Sequence, residues 1–97
     1  MVVVGPLDEP FSSRTQRQLL ILSLSAQGLS REEIGQRLFL SAWTVRADLN
    51  RLREQVNAGN VTHALSICMV HGYLVVDEQT NAVVVAPAIT GDLALAA

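Results

Sequence analysis

Residues 30–56 of the chain read SREEIGQRLFLSAWTVRADLNRLREQV, and this stretch decides the fold. Ser30 stands three residues before Glu33, the spacing at which a serine hydroxyl and a glutamate carboxylate cap the start of a helix. Ser41 precedes a second and longer helical segment, which runs to about Val56. The stretch therefore predicts two consecutive helices joined by a short turn.

The longer of these helices divides into an apolar and a polar face. Its apolar residues recur in steps of four, three and four, which predicts one buried stripe formed by Val45, Leu49, Leu52 and Val56. The opposite face carries Trp43, Arg46, Ala47, Asn50 and Glu54. On the shorter helix Gly35 is small, as a close helix crossing requires. A short helix, a tight turn and a longer helix with one polar face together form a helix-turn-helix.

A further helix is expected before the motif. Ser13 and Gln16 have capping-box spacing, and the helix that they begin runs to about Gln27. Gly28 follows, and glycine ends a helix at low cost because it adopts the left-handed conformation freely.

A fourth helix is expected at about residues 63–71, with Thr62 or Asn60 as its cap. Its apolar residues are spread around most of its circumference, so three neighbouring helices would leave part of that surface uncovered. We therefore expect this helix to present a face to a partner, with Ala64, Leu65, Cys68 and Met69 as the candidate interface residues.

From Tyr73 onward the apolar period changes from that of a helix to that of strands. β-branched runs at residues 73–76 and 82–86 flank a five-residue loop, which predicts a β-hairpin ended by Pro87. The valines at positions 2–4 could add an N-terminal strand to it. The hairpin could also serve as the docking surface for a protein partner.

The 97 residues are expected to form a single, mostly α domain. Hydrophobic residues make up 49% of the chain and aromatic residues 4%, so the core must be built from aliphatic side chains. We predict a helix-turn-helix core at residues 12–74, the hairpin at 75–87 and a loosely ordered tail at 88–97.

Cysteine use and hydropathy favour a cytoplasmic protein. Cys68 is the single cysteine, which excludes an internal disulfide and fits a reducing compartment. No apolar run approaches the roughly 20 residues of a membrane helix, and the first residues lack the basic flank of a signal peptide. The absence of lysine beside many Arg, Ala and Val residues suggests a GC-rich bacterial genome.

The charges are distributed unevenly along the chain. The formal net charge is -2, which by itself argues weakly against nucleic acid. All the basic residues, however, are arginines between Arg14 and Arg53. Residues 11–60 carry seven arginines and four acids, hence a local charge of +3, between two acidic ends. Since the location of charge matters more than its total, this distribution permits phosphate binding.

The motif resembles that of a known family. Residues 26–46 read AQGLSREEIGQRLFLSAWTVR, and the LuxR/GerE-type helix-turn-helix has roughly the pattern A-x-G-L-S-x-x-E-I-A-x-x-L-x-(L/I)-S-x-x-T-V-K. NVTHAL at 60–65 and HGYL at 71–74 resemble the opening and the end of the family's fourth helix. The resemblance covers about residues 12–74. It implies a four-helix domain that places its third helix in the major groove of DNA and dimerises through the fourth.

The chain departs from the family pattern at two positions of the third helix. Arg46 replaces the lysine after T-V, which keeps the charge and adds a forked donor. Asp48 replaces a histidine, and an acid beside a phosphate would weaken DNA binding. The hairpin lies outside the family pattern.

The third helix supplies most of the candidate DNA contacts. Arg46 suits the edge of guanine and Asn50 that of adenine, while Ala47 could touch a thymine methyl group. Trp43 could stack on the DNA backbone or be half-buried. The remaining candidates could contact phosphates, either near helix N-termini or from the flanks of the third helix: Ser30, Arg31, Thr44, Arg51 and Arg53.

No catalytic or metal-binding pattern is found. His63, Cys68 and His71 are five and three residues apart, which leaves His63 off the face of the other two without a fourth ligand. Asp77 and Glu78 fall in the expected hairpin loop, where carboxylates are ordinarily solvated. We expect no metal, no cofactor and no enzymatic activity.

Three functions remain open at this point. The first is a homodimeric, sequence-specific transcription regulator that binds double-stranded DNA. The alternative is a protein-interaction module that has kept the fold and does not bind DNA, which Asp48, the net charge and the hairpin favour. A weaker alternative is a sigma-factor-like promoter module that acts with RNA polymerase.

Overall fold

The computed structural model describes residues 6–7, 11–87 and 89. They form the predicted mostly α architecture of four helices followed by an antiparallel hairpin. The elements are α1 (Ser13–Ala26), α2 (Arg31–Leu38), α3 (Ala42–Gln55), α4 (Val61–Val70), β1 (Leu74–Asp77) and β2 (Ala82–Val85). Among the described helices, none combines the length and the apolarity that crossing a membrane demands.

The caps of α2 and α3 form as the sequence predicts. The Ser30 hydroxyl accepts the N–H of Glu33 at 3.1 Å, and the Glu33 carboxylate accepts the N–H of Ser30 at the same distance. The hydrogen bonds from the backbone and then the side chain of Ser30 lower the pKa of Glu33. Ser41 caps α3 by accepting the N–H of Thr44 at 3.0 Å. The start of each motif helix is therefore fixed by local chemistry.

The first helix begins one residue earlier than the capping-box spacing predicts. Ser12, not Ser13, accepts the N–H of Thr15, at 3.1 Å. Gln16 donates instead to the carbonyl of Phe11, so the box predicted for Ser13 and Gln16 does not form. The predicted end is confirmed, because α1 stops at Ala26 and Gly28 follows with a φ of +97°.

The fourth helix also starts earlier than expected. Asn60 is its cap and accepts the N–H of His63 at 2.8 Å, which decides between the two candidates in favour of Asn60. The helix ends at Val70, and Gly72, two residues later, has a φ of +74°.

An aliphatic core lies between the helices. The predicted stripe of α3 is buried along its whole length, and the largest fully enclosed apolar side chains come from several elements: Leu19, Ile21, Leu22, Ile34, Leu52 and Leu74. At roughly 1.5–3 kcal/mol for each buried aliphatic side chain, this burial is the main favourable term for folding.

The hairpin packs on α1 and belongs to the same core. Gln27 donates to the carbonyl of Val83 at 2.8 Å. Tyr73, directly before β1, meets the ring of Phe11 edge to face at 5.5 Å, and its hydroxyl accepts the N–H of Leu7.

The hairpin register differs slightly from the prediction. Leu74 pairs with Val85 and Asp77 with Ala82, so the loop has four residues, 78–81, and not five. Asn81 closes it with a φ of +56°.

Two predictions concern the ends of the chain. The strand expected at positions 2–4 lies outside the described residues, as does the predicted tail apart from Ile89. That side chain packs against the core, and its N–H donates to Ala86.

Gly35 sets the approach of α2 to the turn. A Cβ added there would collide with the carbonyl oxygen of Leu40, a backbone atom that cannot move aside cheaply. The N–H of Leu40 in turn donates to the carbonyl of Gly35 at 2.8 Å. The turn is therefore folded directly onto the helix, and this contact fixes the direction in which α3 leaves.

We predict that Gly35→Ala lowers the free energy of unfolding by about 1–3 kcal/mol, the usual cost of forcing extra volume into a packed site. The direction of this change tests the close contact, because Gly→Ala inside a helix otherwise raises the free energy of unfolding by roughly 0.5–1 kcal/mol. Urea unfolding followed by circular dichroism measures it. Gly59→Ala is the control, since its Cβ would meet only the His63 ring at 3.9 Å. A Gly35→Ala variant as stable as the control would contradict the prediction.

Candidate nucleic-acid interface

The outer face of α3 presents a row of polar side chains. Arg46 and Asn50 are exposed one helical turn apart, with the partly exposed Ala47 between them. Within the described part of the chain, neither Arg46 nor Asn50 forms a side-chain hydrogen bond or ion pair. Because the buried stripe occupies the opposite side of the helix, both side chains are available to an external partner.

Asp48 does not belong to this exposed row. Its side chain is only 2% exposed, and the Arg17 guanidinium of α1 holds it through Nε and Nη2, each 2.7 Å from Oδ2. The expectation that Asp48 would stand beside a DNA phosphate is therefore wrong. The carboxylate faces α1, and its charge is compensated inside the domain.

Two aromatic side chains stand out at the turn between α2 and α3. Trp43 is 77% exposed, so of its two predicted environments the half-buried one is wrong. Phe39 is 95% exposed and has a φ of +59°. A left-handed non-glycine residue costs roughly 1–2 kcal/mol, and Phe39 buries almost nothing in return. Sequence reasoning missed Phe39, which adds a second exposed aromatic ring to the motif.

The candidate phosphate contacts are placed differently from one another. Ser30 and Thr44 lie at the starts of α2 and α3, but both hydroxyls are engaged, Ser30 with the N–H of Glu33 and Thr44 with the Ser41 hydroxyl at 2.9 Å. Arg31 is exposed in the first turn of α2, and Arg51 is exposed on α3. The motif therefore leaves these two guanidinium groups accessible beside the row of Arg46 and Asn50.

Arg53 is used by the fold. Its Nη1 donates to the carbonyl of Ala58 at 3.1 Å, and its Nη2 lies 3.7 Å from Glu54. These contacts hold the turn that follows α3, so Arg53 is directed towards that turn and is the least available of the predicted contact residues.

Comparisons with known proteins identify the family of the chain. The family model described as "Bacterial regulatory proteins, luxR family" matches residues 12–68, which is more than half of the chain. The chain belongs to the LuxR family. This family is a DNA-binding regulatory one and not a class of enzymes.

A curated relative supports the same family. The chain is 36% identical over 66 residues to a protein of Bacillus subtilis (strain 168) whose name is "Uncharacterized transcriptional regulatory protein YxjL". The match covers 68% of this chain and 29% of the relative. The likeness to YxjL is thus a likeness to part of a longer protein.

In this LuxR-family domain the burial of the α4 residues differs from that expected for the dimer interface. Ala64 and Cys68 are buried in the core of the protomer itself, so neither can face a partner. Leu65 is half-buried, Met69 is partly exposed, and Val70, which the prediction did not include, is 81% exposed. Apolar residues lie around most of this helix, with Thr62, His63 and Ser66 as its exposed polar residues, and the sequence alone did not show which apolar residues the core takes.

The titratable side chains of α4 and of the residue that follows it, His71, are buried in the protein or contact it. Burial raises the pKa of the Cys68 thiol to about 11, so the group is protonated at neutral pH. His63 accepts the N–H of Gly59, and His71 stacks on Tyr73 at 5.7 Å. The described residues contain no group of three side chains suited to a metal ion.

We predict that Arg17→Leu lowers the free energy of unfolding by about 1–3 kcal/mol, since it leaves a buried carboxylate without its donors. Arg14→Leu is the matched control on the same helix, because Arg14 is exposed and forms no ion pair within the described residues. Urea unfolding of both variants measures the difference.

The double variant R17L/D48L sharpens this test. Removing the acid together with the base should restore most of the lost stability, since no buried charge is left uncompensated. Equal stability of Arg17→Leu and Arg14→Leu would show that the ion pair contributes nothing.

Proposed function

We propose that the domain is a sequence-specific, double-stranded DNA-binding transcription regulator whose α3 lies in the major groove. The observation that carries the proposal is the pair of exposed, unengaged side chains Arg46 and Asn50 on the face of α3 opposite its buried stripe. Membership of the LuxR family supports the same conclusion. A helix of this width, roughly 10–12 Å with its side chains, fits a groove about 12 Å wide.

The proposed contacts divide into those that read bases and those that hold the backbone. Arg46 would donate two hydrogen bonds to guanine and Asn50 would pair with adenine, with Ala47 against a thymine methyl group. Arg31 and Arg51 would contact phosphates, with weaker contributions from Ser30 and Thr44. Trp43 would pack its exposed ring against the sugar-phosphate backbone. Arg53 would contribute least, because its guanidinium already holds the turn after α3.

The electrostatics of the motif favour this partner more than the net charge does. Asp48 is paired with Arg17 inside the domain, so it does not oppose a phosphate at the surface of α3. Asp48 supported the protein-interaction alternative, and its burial removes that support. The proposed binding should depend strongly on salt, because each arginine contact with a phosphate releases counterions.

We further propose that the regulator acts as a homodimer through α4. Met69 and Val70 are exposed apolar side chains at the end of that helix, and the half-buried Leu65 lies one turn before Met69. Two copies related by a twofold axis would place their α3 helices in successive major grooves, about 34–36 Å apart. The expected binding site is then a pseudo-palindrome.

We predict that Arg46→Ala weakens binding to a selected DNA site by about 5- to 150-fold, the equivalent of one lost bidentate base contact. A binding site is first selected from a random pool of duplexes, and fluorescence anisotropy then measures the affinity of each variant for it. Gln79→Ala in the hairpin loop is the control and should leave the affinity unchanged. Failure of the folded wild-type protein to bind any duplex at low salt would refute the proposed function.

We predict that Val70→Glu converts the dimer to a monomer without unfolding it, because the side chain is exposed in the protomer and a charge there would have to be desolvated in the interface. Light scattering gives the mass, and circular dichroism checks the fold. Thr80→Glu in the hairpin loop adds the same charge elsewhere and should leave the dimer intact. A monomeric wild-type protein, or a dimeric Val70→Glu variant, would contradict this interface.

A further inference from the structure

A groove of about 430 Å³ lies between α1 and α3, outside the row of residues proposed to read bases. Two residues of α1 and three of α3 line this α1–α3 groove: Arg14, Gln18, Arg51, Glu54 and Gln55. Each of these side chains ends in a charged or an amide group, which can hydrogen-bond to a polar or ionic ligand.

The groove has two arginines and one acid. Within the described residues neither Arg14 nor Arg51 forms an ion pair, whereas Glu54 has Arg53 as its neighbour at 3.7 Å. Arg17, the other arginine of α1, is already paired with Asp48. The two guanidinium groups are therefore uncompensated cations on opposite walls of one groove, an arrangement that favours an oxyanion.

Gln18 adds an amide side chain to the groove. Its side chain is 1% exposed, lines the groove and makes no hydrogen bond within the described part of the chain, and its Oε1 is buried without a donor. A phosphodiester carries only acceptor oxygens at neutral pH, so it can bond to the N–H groups of this amide and not to Oε1. The amide carries two N–H donors as well as the oxygen, and rotation about its last torsion exchanges the end that faces the groove.

The position of the groove indicates where the oxyanion comes from. Arg51 directly follows Asn50, and consecutive helical residues are about 100° apart around the axis, so the groove borders the proposed base-reading face. The major groove is flanked on both sides by phosphates, and a helix inserted in it has one sugar-phosphate strand along each flank. On one flank of α3 that strand would run along the α1–α3 groove.

We propose that the α1–α3 groove binds a phosphodiester of the DNA strand that passes beside α3, with Arg14 and Arg51 as its cationic ligands and the Gln18 amide as a donor from the floor. The inference rests on the proposed function and adds a contact from α1, a helix outside the helix-turn-helix. Because a phosphate has no sequence identity, the groove contributes affinity and register and not base preference. Glu54 opposes the phosphate and limits the affinity.

The variants Arg14→Gln and Glu54→Gln test whether the groove binds a phosphate, because the first removes a positive charge from it and the second a negative one. Arg14→Gln should weaken binding several-fold on both a selected and an unrelated duplex, and lower the slope of log affinity against log salt by about 0.9, the value for one phosphate contact. Glu54→Gln should strengthen binding to both duplexes. Arg46→Ala, by contrast, should act mainly on the selected duplex. If the wild-type protein binds the selected duplex and Arg14→Gln binds it with the same affinity and salt slope, the proposal that the groove binds a phosphate is wrong. The proposed function would not be affected by that result.

A chemically altered duplex locates the phosphate. Replacing single phosphates beside the site with uncharged methylphosphonates should weaken wild-type binding at one position in each half-site, and Arg14→Gln should be insensitive at that same position. Sensitivity that is unchanged in Arg14→Gln would show that Arg14 contacts no phosphate. The full chain is also titrated with inorganic phosphate alone, observing the Gln18 side-chain amide by NMR. Saturation at millimolar phosphate would identify a free-anion site and overturn the assignment to DNA, whereas no saturation agrees with it.

Discussion

The ion pair between Arg17 and Asp48 is the contact on which the orientation of α3 depends. It joins α1 to α3 through an acid that is almost completely buried. An α-helix is rigid about its own axis, so fixing position 48 against α1 also fixes the direction of positions 46 and 50. The same contact removes a negative charge from the outer surface. One interaction therefore aims the polar face and makes it electrostatically suited to an anion.

The close contact of Gly35 with the Leu40 carbonyl complements this ion pair at the other end of the motif. It determines where the chain turns, and the ion pair determines how α3 is rotated once it has started. The family pattern has alanine at the position of Gly35, whereas in this chain a Cβ there would collide with the Leu40 carbonyl. Phe39 takes a left-handed conformation within the same turn, a cost that the tight connection imposes.

The sequence predicted the features that depend on local spacing. The capping box of Ser30 and Glu33, the stripe of α3 and the change of period at Tyr73 each involve residues a few positions apart, and the structure confirms them, whereas the cap of α1 is Ser12 and not the predicted Ser13. Asp48 could not be placed in this way, because its partner is 31 residues away and a charged residue on a helix is ordinarily exposed. The side of α4 that faces the core could not be distinguished because apolar residues lie around most of the helix. Ala64 and Cys68 were for that reason assigned to a partner, although they fill the core.

The separation of the holding and reading faces of α3 has a consequence for how such a domain can change over time. The core of the helix depends on Val45, Asp48, Leu49 and Leu52, and none of these lies in the exposed row. Arg46, Ala47 and Asn50 have no partner in the described protein to lose, so substitutions among them carry little thermodynamic penalty. A lineage could therefore explore new recognition preferences at these three positions while the scaffold stays under constant selection. Position 48 has no such freedom, since any change there must be matched at position 17.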